Sequence, residues 1–341
     1  METATQIEIP TKWKREGLII ARSSQGNGRD VVGDPCIVWD EEVGAWRMFL
    51  FWHPPGHGQT TSRPTDRIIP KFWDAVQPLT FLGEEQYSHK VYIVQYAHRP
   101  GHAARIDGHF WLVSVAHRDG HKFMWRARSQ KLSGPWTWDE EPLIPVGESG
   151  DFDEKHADAV TGIYFPERAE VLYYYMGYPA RAQKRPLSPY GSALGAAVQS
   201  ITTSSAKKLG EILAPEPKIG HWASGWLGGF QVMPGKSHRW VALLNASPTA
   251  PKQGDISQTS EEPEPSLGGW AYCDEEYPVK NWKFASQPIE WIDQIPAEAV
   301  AKGENTNLWR HYALILPDGS TAVFYNSGYY GQEQLYAKIS D

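Results

Sequence analysis

Cysteine is nearly absent: Cys36 and Cys273 are the two in 341 residues, far apart and in no CxxC or zinc-type spacing. Cys36 lies in an apolar run and reads as a buried, inert thiol. Also missing is any basic run long enough to follow a phosphate backbone. Lys and Arg total 33 against 40 Asp and Glu, for a net charge of -7, so nucleic acid is not an expected partner. The opening segment, Met1 to Arg15, mixes Glu2, Glu8, Lys12 and Lys14 and holds no continuous apolar stretch. It reads as neither secretory signal nor membrane span, and the expectation is a cytoplasmic protein that does not engage a membrane. Nowhere does a helical period persist with its caps.

What the chain does have is aromatic rings. Hydrophobic residues make up 41% and charged residues 21%, a globular composition, and aromatics reach 13% with 16 Trp and 16 Tyr. Such rings favour sheets and fill their cores, and the same rings stack on sugars. Short apolar or alternating runs bounded by Gly, Pro, Asp and Asn recur along the whole sequence and predict strands. The clearest are Cys36 to Trp39, Trp46 to Trp52, Lys90 to Tyr96, Phe110 to Ala116, Phe123 to Ser129, Val171 to Gly177, Ala193 to Ser200 and Gln334 to Ile339.

Four hairpins share one form. Ile37 to Trp39 turns through Asp40 to Ala45 into Trp46 to Phe51, and the same form returns at Ile163 to Tyr175, Phe230 to Leu244 and Ala313 to Tyr325. A looser fifth joins Tyr92 to Ala97 with His109 to Val115. Five hairpins of one kind, each followed by a further strand, are what a chain of sheet blades produces. A two-sheet sandwich also suits short strands. An acid heading the hairpins in phase favours the propeller. The expectation is therefore all-β: residues 1–341 as a single five-bladed β-propeller, with long loops at 53–77, 181–189 and 248–267.

Four phrases carry a family likeness. Gly33-Asp34-Pro35-Cys36-Ile37-Val38-Trp39 resembles the first-blade motif of the arabinanase, β-xylosidase and invertase glycosidases, whose Asp-Pro opens the innermost strand. His156-Ala157-Asp158-Ala159-Val160, with Tyr173 to Gly177, looks like the second acidic head. Gly134-Pro135-Trp136-Thr137-Trp138 is similar to the phrase that closes a blade, and Phe324 to Gly328 with Glu333 to Ala337 to the closing blade. The resemblance implies a five-bladed fold with a funnel-shaped site on the axis and a small carbohydrate as substrate.

Glycoside hydrolysis needs a carboxylic acid for the leaving oxygen and a carboxylate as base or nucleophile. By resemblance Asp34 is the base or nucleophile, and Asp158 orients the acid and raises its pKa. An innocent Asp-Pro turn and a strand-end cap are the plain readings of the same residues. The fourth-blade position for the acid departs from the family pattern and reads Gly228-Gly229-Phe230-Gln231. Glu304, ahead of the last hairpin, is the substitute, and His156 and His311 are further proton-donor candidates because imidazole titrates near neutrality. Substrate contacts fall to His156, Trp222, Trp226, Trp309, Arg310 and His311. Trp222 and Trp226 stand in a Gly-rich segment that permits close ligand approach.

Three functions remain open at this point: a glycoside hydrolase, a glycoside phosphorylase with Arg29 and Arg310 as phosphate clamps, and a carbohydrate-binding propeller that has lost its acid. His98, His102, His109, His117 and His121 crowd one stretch in no metal-binding pattern, so no metal site is assigned and no cofactor is required. A calcium held by oxygens at the axis leaves no sequence signature. Oligomeric state is equally unmarked.

Overall fold

Strands that read as continuous apolar runs bury both faces. In Glu170–Tyr178, Val171, Tyr173 and Tyr175 enter one core cluster while Leu172 and Tyr174 enter another. Successive side chains of a strand point to opposite sides, so the sheet must be covered on both. Burying each such side chain contributes roughly 2 kcal/mol.

A computed structural model of the protein describes residues 6–22, 31–53, 56–62, 72–83, 88–179, 192–218, 220–248, 266–305, 308–328 and 332–341. Five antiparallel units of four strands form the blades of a β-propeller, the first three joined into one continuous sheet by short linking strands and bridges. Blade 1 runs Val31–Asp40, Ala45–His53, Gly56–Ser62 and Gln77–Pro78 from the innermost strand outward. Blade 2 is Ser88–Ile93, His109–Arg118, His121–Ser129 and Trp136–Trp138. Blade 3 is His156–Phe165, Glu170–Tyr178, Ala193–Ser200 and Lys207–Leu213. Blade 4 is Trp226–Pro234, Trp240–Ser247, Leu267–Cys273 and Lys283–Pro288. Blade 5 takes Trp309–Ile315, Thr321–Ser327 and Gln334–Ser340 from the end of the chain and its outer strand, Trp13–Ile20, from the beginning.

That last pairing closes the ring, and a charge network holds it. Arg15 donates to Glu290 at 2.8 Å and to Glu304 at 3.2 Å, while Lys338 reaches Glu290 at 2.6 Å. Trp13–Ile20 then stands as the outer edge of blade 5, one of the short edges that a propeller retains.

Two expectations change. The segment 53–77 is not simply a loop, because Gly56–Ser62 forms the third strand of blade 1, pairing Phe51 with His57 and Phe49 with Gln59. Its Gly, Thr and Ser residues give no apolar alternation. Gly58 is required there, since a Cβ would come 2.5 Å from Val76. The strand expected over Lys90 to Tyr96 breaks at Val94, and residues 94–108 become an insertion. The loop 181–189 and most of 248–267 lie outside the described residues.

The insertion caps one end of the axis. Gln95–Tyr96 pairs with the inner strand of blade 3 and Arg99–Ala103 with that of blade 1, both where those strands finish. Tyr312 of blade 5 donates to Ile37 O at 2.6 Å and to Gln95 at 3.1 Å. The opposite half of the axis, where the inner strands begin, holds a cavity. Among the described residues no helix is long and apolar enough to cross a membrane.

Candidate active site

Each innermost strand carries the same irregularity. Pairing with the second strand slips between Gly33 and Cys36, beside Lys90, between Asp158 and Thr161, between Gly228 and Phe230, and between Trp309 and His311. At each slip one residue turns left-handed: Asp34 (φ +50°), Lys90 (+58°), Ala159 (+51°), Gly229 (+52°) and Arg310 (+48°). Four of the five are not glycine, and this backbone region costs an L-residue about 1 to 2 kcal/mol. Bulges and left-handed residues of this kind gather where a fold re-aims side chains at a site. All five line one axial cavity of about 60 Å³.

Asp34 is the carboxylate that lines this cavity among the described residues. Asn326, fully buried on the second strand of blade 5, accepts from Asp34 N at 2.8 Å and donates to Asp34 Oδ1 at 3.3 Å. Arg310 stands 3.5 Å from Asp34 Oδ2. Gly33 makes the clamp possible, since a Cβ there would overlap the Asn326 side chain.

Asp158 reaches the site indirectly. It sits one residue ahead of its bulge, so Ala159 takes the cavity position, and its own side chain is 1% exposed. Lys90 donates to Asp158 Oδ1 at 2.6 Å, Lys122 to Oδ2 at 2.7 Å, and Ala159 N to Oδ1 at 2.7 Å. A carboxylate accepting three such bonds is held ionised. Lys90 thus links the two aspartates, facing the cavity with Asp34 and bonded to Asp158. Burial lowers its pKa to about 8, helped by the charges of Arg310 and Lys122 and opposed by Asp158 and Asp34.

His156 and His311 are not acids near neutrality. His311 lines the cavity with its Nε2–H on Leu243 O at 2.8 Å, and burial lowers its pKa to about 4. His156 begins the inner strand of blade 3, and its Nδ1 accepts from Lys122 N at 3.3 Å. Burial, with the charges of Lys122 and Lys155, lowers it to about 4 as well. Both present neutral imidazole, suited to contact rather than proton donation.

Glu304 also fails as the acid. It is 2% exposed, bonded to Arg15 and to Tyr325 Oη at 2.5 Å, and absent from the cavity lining, because it belongs to the closure network. Trp222 is core rather than a sugar platform: it is fully buried, donates to Ala285 O at 2.8 Å, and lies where a Gly269 Cβ would clash. Trp226, 8% exposed, opens the inner strand of blade 4 beside Gly228. Trp309 contributes backbone to blade 5; its side chain, like Arg29, lies outside the described residues.

Lys90 and Asn326 escaped the sequence reading. A signal existed for the first: Lys90-Val91-Tyr92-Ile93-Val94 aligns with Asp34-Pro35-Cys36-Ile37-Val38 on the shared Ile-Val, which sets Lys90 level with Asp34. No group of three or more His, Cys, Asp or Glu able to hold a metal occurs among the described residues. Lys90 and Arg310 flank the Asp34 carboxylate, a donor set that does not suit calcium.

Fold and site together define a five-bladed β-propeller with a carboxylate presented at its axis. No protein-family profile matches the chain, and no curated protein matches it by sequence. Solved structures do match. The chain is similar to a glycoside hydrolase with TM-score 0.70 and 12% identity, over 98% of this chain and 92% of that one. It is similar to an endo-arabinase from Bacteroides thetaiotaomicron, with TM-score 0.58 and 11% identity over 95% and 97%. An α-L-arabinofuranosidase from Podospora anserina, in complex with cellotriose, aligns at TM-score 0.59 and 11% identity over 98% of both chains.

Proposed function

We propose that this protein is a glycoside hydrolase, cleaving a glycosidic bond in a small oligosaccharide or glycoside at the propeller axis. Asp34 carries the reading: a strained bulge turns it into the cavity and a buried asparagine fixes its carboxylate there. A hydrogen-bonded carboxylate at that place suits a base or nucleophile. Asp158 is a positioning residue acting through Lys90. Arg310 and His311 line the cavity and contact the sugar, with Trp226 at the start of its blade. The fold shared with a glycoside hydrolase and an endo-arabinase supports a carbohydrate substrate.

A panel of nitrophenyl glycosides, assayed with and without inorganic phosphate, tests the reading. Hydrolysis without phosphate is expected, and Asp34→Asn is expected to lower it by about 10² to 10⁴. Turnover that requires phosphate would mean phosphorolysis instead. Sugar binding that survives Asp34→Asn, with no turnover in the unaltered protein, would mean a binding module.

A further inference from the structure

The axial cavity holds a base but no carboxylic acid at the blade 4 position, where Gly229 stands. Resting on the glycosidase reading above, we propose that Lys90 is the proton donor of this site, delivering a proton from Nζ to the leaving oxygen. The other described groups around the cavity do not fill that role. Asp158 is an ionised acceptor, 1% exposed, and Glu304 lies in the closure network. Arg310 does not release a proton in proteins. Thr161 spends its hydroxyl proton on Phe230 O at 2.6 Å.

Lys90 has the geometry a donor needs. Its backbone occupies in blade 2 the same left-handed bulge that Asp34 occupies in blade 1, so the two residues face one cavity from adjacent blades. An ammonium carries three N–H bonds, and the 2.6 Å contact with Asp158 takes one, fixing the chain's direction. Charge favours release. The cluster holds three cations, Lys90, Lys122 and Arg310, against two carboxylates, Asp34 and Asp158, so loss of one proton from Lys90 balances it. Enzymes bring lysine into the range of acid–base work by this combination of burial and like-charged neighbours.

The step balances. The water oxygen bonds to the anomeric carbon and gives its proton to Asp34. The glycosidic C–O bond breaks with its electron pair on the leaving oxygen, which takes the Lys90 proton. Solvent then returns a proton to the neutral amine and removes one from Asp34.

Leaving-group dependence tests the role. Lys90→Arg keeps a cation beside Asp158 but cannot donate, and its fold is checked by circular dichroism. Kinetics are run on the dinitrophenyl glycoside and the methyl glycoside of the sugar that the panel selects. For Lys90→Arg, kcat/KM should fall about 10² to 10⁴ on the methyl glycoside and less than about tenfold on the dinitrophenyl one, whose leaving group needs no proton. The unaltered enzyme should lose activity on the methyl glycoside as pH rises through about 8. Equal losses on both substrates would overturn the donor role while leaving the glycosidase reading intact. No cleavage of any glycoside by the unaltered protein would overturn both.

Discussion

Asn326 grips Asp34 at two points, backbone N at 2.8 Å and carboxylate Oδ1 at 3.3 Å, across the junction between blades 5 and 1. The carboxylate proposed as base is therefore held by the blade on the other side of the ring's closure. Asn326→Ala leaves the Asp34 carboxylate with Arg310 alone among the described residues and strands its part-buried backbone N–H. A loss of about 1 to 3 kcal/mol in unfolding free energy is expected. A fall in kcat of at least about tenfold should accompany it, whereas Asn326→Ala with full kcat would detach the clamp from function.

Arg15→Ala should loosen the closure. It leaves Glu304 buried without its cation and removes one of the two cations on Glu290. Removing one partner of a buried pair costs roughly 3 kcal/mol. Denaturant titration should show that loss, and proteolysis should release the N-terminal strand first.

Trp222→Phe separates core from binding. It deletes the donor to Ala285 O and retains a ring against Gly269. Melting temperature should drop, for a loss of about 1 to 3 kcal/mol, with kcat and KM unchanged. A raised KM at an unchanged melting temperature would return Trp222 to the substrate.

Acid should destabilise the fold through its histidines. His57, His117, His156 and His311 are each lowered to about 4, chiefly by burial, against about 6.5 in the unfolded chain. The unfolded state then binds more protons than the folded one between those values. Their stabilising share is complete above pH 6.5 and is lost as pH falls toward 4. Unfolding free energy measured across this range should decline, and His311→Asn should flatten the decline by about one proton.

The hairpins were legible in the sequence because each is a local pattern of apolar runs about a turn, as at Ile37 to Phe51. Strands of small or polar residues were not: Gly56–Ser62 is defined by what it pairs with, not by its own composition. Aligning the blades on their acids set Asp158 level with Asp34, yet the cavity position is Ala159. A bulge absorbs a residue without marking the sequence, so an offset of one could not be seen; Lys90, level with Asp34 in its own strand, was passed over because the strand heads were read for acids. Glu304 misled because its partner Arg15 lies 289 positions away. Trp222 misled because glycine admits a neighbouring indole as readily as a ligand.

Closure of the last blade by the first strand also sets a timetable for synthesis. A nascent polypeptide that has left the ribosome through blade 4 already carries Asp34, Lys90 and Asp158, but neither Arg310 nor Asn326. Its opening strand waits without the neighbour, Gln334–Ser340, that it will pair with. The proposed site should therefore assemble abruptly with blade 5 rather than grow blade by blade.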